Sequence, residues 1–134
     1  MIQILLIFST PMTLLFRLVL GVIFLVHGAK KFRHWRGTTN WFNSIGIKPG
    51  VLWGTLVAFM ETVGGALMII GFFTQVAALA LVPVMAVAFV VNLHSSKKFF
   101  GEPELNIILL VALLMLASLG SGPFALERYF GILF

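Results

Sequence analysis

Four apolar segments, at about residues 11–31, 51–70, 75–94 and 103–119, dominate this chain. Each is long enough for a helix to cross the ~30 Å hydrocarbon core of a bilayer. Lipid offers no hydrogen bonds, so a crossing segment must satisfy its own backbone, and a helix does so within itself. Four crossings nearly exhaust 134 residues. The expected fold is therefore one transmembrane domain over residues 1–134. It is an all-α integral membrane four-helix bundle, with short interfacial segments at both ends and in the first loop. Composition agrees: 60% of residues are hydrophobic and 10% charged, whereas soluble domains carry ~25% charged residues. No separate soluble catalytic domain fits beside the spans.

Local signals set the expected boundaries. Ser9-Thr10-Pro11 reads as a helix start, leaving Met1 to Phe8 as an interfacial segment. That octet lacks the leading charge and the small-residue cleavage site of a signal peptide. Thr38 or Thr39 is expected to cap a short amphipathic helix through Ile45, with Gly46 ending it and Pro49-Gly50 turning the chain. Gly71-Phe72-Phe73-Thr74 predicts a tight hairpin with Thr74 capping the next span. Pro83 predicts a kink, Glu102-Pro103 begin the last span, Gly122-Pro123 break the chain, and Phe124 to Phe134 form an interfacial tail.

Of nine Lys and Arg residues, seven (Lys30, Lys31, Arg33, Arg36, Lys48, Lys97 and Lys98) fall in or beside the two polar loops. The positive-inside rule then places both loops in the cytoplasm and both termini outside, in a multi-pass protein of the cell's inner (plasma) membrane. Trp35, Trp41 and Trp53 gather near the same boundary, as an aromatic belt would. The formal charge of +5 has anionic lipid headgroups, not nucleic acid, as its expected counter-charge. Lys30, Lys31, Arg33 and Arg36 are accordingly candidates for headgroup contact or for docking another membrane subunit.

The chain contains no cysteine, which excludes disulfides and thiolate-held zinc or iron–sulfur centres built from this chain alone. No metal site is expected, since His27, His34 and His94 lack the i, i+4 spacing of a helical metal ligand pair. Aspartate is absent and only four carboxylates exist, three of them near water. A self-contained hydrolytic enzyme is not expected on those grounds.

Ionisable groups within spans carry the functional argument, because each costs ~2.5–3.5 kcal/mol to insert. Arg17, His27, Glu61 and His94 stand out. Glu61 shares a helix face with Gly54, Ala58, Gly64, Gly65 and Met68, a stripe of small residues that lets another backbone approach and turns the carboxylate inward. Depth counting from a first span that starts at Pro11 leaves Arg17 offset from Glu61 by only ~6 Å, within an arginine's reach. An Arg17–Glu61 pair is expected, either fixing helix register or serving a reaction. His27, with Asn92, His94 and Asn106, is expected to complete an internal polar pocket beneath the basic loops.

The residues Leu14 to Phe32, with Arg17 and His27-Gly28, resemble the first helix of DoxX-family membrane proteins. Phe42-Asn43-Ser44-Ile45-Gly46-Ile47-Lys48-Pro49 resembles the following loop of that family. Glu61 to Gln75, with Gly64-Gly65, is similar to its second helix and hairpin, and Gly120 to Arg128 to its C-terminal segment. Gln75 stands where many members carry arginine. The resemblance implies a four-helix membrane protein related to a subunit of a thiosulfate:quinone oxidoreductase, or to redox-complex components and assembly or trafficking factors. The expected function is a membrane subunit of a larger redox-linked complex, with a quinone as the conceivable cofactor in the polar pocket. The rivals are a non-catalytic assembly protein and a proton-coupled small-molecule exporter.

Overall fold

The computed structural model describes residues 2–96 and 101–131. The helices are α1 (Ile2–Arg33), α2 (Trp35–Ser44), α3 (Gly50–Ile70), α4 (Thr74–Ser96), α5 (Glu102–Leu119) and the short α6 (Leu126–Tyr129). Among the described residues there is no strand. α1, α3, α4 and α5 are long and apolar enough to cross a membrane. The all-helical, four-span expectation is met.

Three local expectations need correction. Pro11 lies inside α1, so the opening residues continue the first helix instead of forming a separate interfacial segment. Spanning helices tolerate such a proline; two residues on, the Thr13 hydroxyl donates to Ser9 O at 2.8 Å. α2 starts at Trp35, with His34 at its N-cap, while the Thr38 hydroxyl donates to Lys31 O at 3.2 Å and ties α2 to the end of α1. The expected Thr74 cap fails as well. The Thr74 Oγ1 is buried without a partner, and the Thr74 N–H donates to Glu127 Oε2 at 3.2 Å. Lys97 and Lys98 lie outside the described residues.

The helices pack as two antiparallel pairs, α1 with α3 and α4 with α5, joined through α3 and α4. Glycine makes the first pair possible. A methyl group built on Gly65 would sit 2.5 Å from Leu25 N and 2.6 Å from Gly21 O, and one on Gly28 would meet Thr62 N at 2.6 Å. Backbone therefore lies on backbone along this seam, the device by which spans associate without a hydrophobic driving force. A core of Leu20, Phe24, Met68, Leu81, Leu113 and Leu116 holds the two pairs together toward the α3–α4 hairpin. Outward-facing Val19, Val22, Ile108 and Val111 are exposed, as lipid contact requires.

The segment after α5 is more than a surface tail. Ala125 and Glu127 are buried, and the Glu127 N–H donates to Gly71 O at 3.0 Å. Gly71 takes a positive φ of 77° to turn the hairpin, which glycine does without strain. One carboxylate thus caps α4 while its own backbone closes on the end of α3. Residues 132–134 of the expected tail are outside the described part.

Candidate functional site

The helical period explains Glu61. Gly54, Ala58, Glu61, Gly65 and Met68 recur at spacings of three and four and are all buried, so α3 turns this face into the bundle. Glu61 is 0% exposed. Its Oε1 accepts a hydrogen bond from Lys31 Nζ at 2.6 Å. Gly28 of α1 lies against Ala58 and Thr62 of α3, so Lys31, about one turn further along α1, reaches back along the seam to the carboxylate.

The expected Arg17–Glu61 pair is not formed. Arg17 Nη1 donates to Ser121 O at 2.7 Å and Nη2 to Phe124 O at 3.5 Å, with Glu127 acting on it as a nearby counter-charge. Arg17 lies against Gly71, ten residues and therefore ~15 Å along α3 from Glu61. Counting depth from Pro11 misplaced the outer end of α1, which continues to Ile2.

Between α1, α2 and α3 on one side and α4 and α5 on the other lies a cavity of about 870 Å³. Phe24, Met85 and Leu109 line it and also belong to the core, closing it toward the hairpin. Its remaining wall is largely apolar and aromatic, with Phe42, Trp41, Trp53 and Met60. Of the six pocket residues expected from sequence, His27, Glu61, Asn92 and Asn106 line this space, whereas Arg17 and His94 do not. His94 is exposed, with Nδ1 2.9 Å from Val90 O. Sequence reasoning missed Lys31 as a site residue, treating it with Lys30, Arg33 and Arg36 as headgroup contacts. Lys30, Lys31, His34 and Glu102 line the cavity, while Arg33 and Arg36 are exposed and do not. A signal for Lys31 existed: it follows Phe24 and Gly28 at helical spacing, on the face that packs against α3.

Two residues of the cavity wall carry polar atoms with unmet needs. Glu61 Oε2 and Asn106 Nδ2 are buried without a hydrogen-bond partner among the described residues. An orphaned buried polar atom costs ~1–3 kcal/mol. The wall therefore combines an ion pair, an unsatisfied acceptor, an unsatisfied amide and an imidazole from His27 inside an otherwise apolar pocket, the usual make-up of a small-molecule site. Lys31 counters the charge on Glu61, which weighs against a carboxylate free to cycle as an exporter requires. Among the described residues no group of three or more His, Cys, Asp or Glu is placed to hold a metal ion.

Residues 12–95 match the family model described as DoxX. A protein of Bacillus subtilis (strain 168), described as "Putative oxidoreductase CatD", is 32% identical over 117 residues, covering 87% of this chain and 85% of that relative. No solved structure matches.

Proposed function

Because this chain belongs to the DoxX family, we propose that it serves as a small membrane subunit of a larger redox-linked complex and that its cavity receives the ring of a quinone. The observation that carries this reading is the apolar cavity between the helix pairs, with Lys31–Glu61, His27 and Asn106 in its wall. A quinone ring offers carbonyl oxygens to Lys31, His27 and Asn106 while Phe24, Met60 and Leu109 surround its apolar body. Reduction of a quinone takes up two electrons and two protons. The chain has no cysteine with which to ligate an iron–sulfur cluster, so the electrons come from a redox centre on a partner subunit. His27, a titratable residue of the wall outside the Lys31–Glu61 pair, is assigned the proton exchange with the ring. The relative's name, an oxidoreductase, is compatible with this assignment.

Trp41 and Trp53 in the cavity wall supply a readout. A short-chain quinone added to the protein in nanodiscs quenches tryptophan fluorescence saturably. Ala88, which also lines the cavity, is the place to fill it: Ala88→Phe weakens that binding by about tenfold, equivalent to ~1.4 kcal/mol. Equal quenching of both proteins would mean that quinone merely partitions into the lipid, and the assignment would fall. Gentle purification followed by mass spectrometry checks the other half of the proposal, since co-migrating redox subunits are expected.

The same reading places both polar loops in the cytoplasm, supported by the clustering of Lys30, Lys31, Arg33, Arg36 and Lys48 on that side of the bundle. Lys30, Arg33 and Arg36 there meet anionic headgroups or a partner subunit. The cysteine-free sequence makes the test clean. A cysteine introduced as Lys48→Cys reacts with a membrane-impermeant maleimide in inverted vesicles and not in intact cells; the opposite pattern reverses the topology.

A further inference from the structure

The cavity carries a finer preference, which rests on the quinone reading above. In the ion pair, Glu61 is a carboxylate with acceptor sites only. Lys31 Nζ occupies Oε1 at 2.6 Å, and Oε2 is left buried without a donor. Asn106 Nδ2 has the converse need, an N–H without an acceptor. Both residues belong to the wall of the same cavity. A molecule that answers this wall presents a hydrogen-bond donor to the carboxylate and an acceptor to the amide.

The two redox forms of the ring differ in this respect. A quinone carries two carbonyl acceptors and no donor, so it can satisfy Asn106 but leaves Glu61 Oε2 as empty as before. A hydroquinone carries two hydroxyl groups, each both donor and acceptor. A hydroquinone can therefore donate from one hydroxyl to Glu61 Oε2 and accept at the other from Asn106 Nδ2. Lys31 takes part as a positioning residue: by holding Oε1 it leaves the second oxygen for the ligand and keeps the carboxylate an acceptor. We infer that the site is built for the reduced, hydroxyl-bearing form, a lipid-soluble hydroquinone, and that it discriminates against the oxidised form through Glu61.

The test is an anaerobic competition in nanodiscs, in which unlabelled duroquinone or durohydroquinone displaces radiolabelled duroquinone from the purified full-length chain. Durohydroquinone is expected to bind about tenfold more tightly, the worth of one charge-assisted hydrogen bond. In Glu61→Gln the amide offers a donor as well as an acceptor, so the ratio falls toward one because quinone binding strengthens. In Asn106→Leu both forms weaken together and the ratio survives, which gives a second measurement should the Glu61 variant fail to fold. Equal binding of the two forms, or tighter binding of the quinone, overturns the preference and leaves the quinone site standing. Absence of saturable binding by either form removes both.

Discussion

Lys31→Met is expected to lower the unfolding free energy of the protein in detergent by about 3 kcal/mol, at the low end of the range for breaking a buried ion pair. The substitution keeps the length and apolar character of the stem and removes only the ammonium. What remains is a buried carboxylate with neither oxygen paired. The Lys31 side chain is itself 30% exposed, so water can partly replace it, which sets the loss near the bottom of that range. The double variant Lys31→Met with Glu61→Leu should recover most of the stability, because the penalty comes from the stranded charge and not from the missing attraction. Unfolding titrations of the two proteins check this. A Lys31→Met protein as stable as the parent would mean that the pair does not hold the site together.

The other large effect belongs to the α1–α3 seam. Gly65→Ala should cost about 3 kcal/mol and reduce the yield of monodisperse protein, since overpacking a tight interior costs ~1–3 kcal/mol even where side chains can move aside. Here they cannot move aside. The atoms a Cβ would strike are Leu25 N and Gly21 O, both backbone, at 2.5 and 2.6 Å, so one helix must be displaced from the other. Gly21→Ala presses on the same contact from the opposite side, against Gly65 O at 2.8 Å. The two losses should therefore add to less than their sum, because the first has already parted the helices. Gly37→Ala is the control: nothing lies within 4 Å of its Cβ position, and alanine favours a helix by up to ~1 kcal/mol. Equal behaviour of Gly65→Ala and Gly37→Ala in thermal unfolding would contradict the close-packed seam.

The spans were legible because lipid makes a simple demand: an apolar run of sufficient length, closed on its own hydrogen bonds. The inward turn of Glu61 was legible for a related reason, since Gly54, Ala58 and Gly65 mark the face that another backbone must touch. Its partner was not. The depth of Arg17 depended on where α1 begins, and Ser9-Thr10-Pro11 is a start signal only if the preceding residues leave the helix. In this chain they remain in it. Lys31 was hidden by its neighbours, because a cluster from Lys30 to Arg36 satisfies the positive-inside rule whichever members happen to point at lipid headgroups. Glu127 was unreadable in sequence: its role depends on a contact with Thr74, 53 positions away, which no local pattern encodes. His94 shows the reverse error, a polar residue near a helix end that bonds to its own helix and stays out of the cavity.

The clasp around Arg17 also bears on how the chain matures. A ribosome delivers Arg17 to the bilayer more than a hundred residues before it makes Ser121 and Phe124, whose carbonyl groups receive the guanidinium. Until then the first helix holds a cation in hydrocarbon, a debt of ~2.5–3.5 kcal/mol by insertion scales. Its settlement in the membrane thus waits on the segment that follows α5. A chain cut short before Ser121 leaves that guanidinium without the carbonyl groups that receive it.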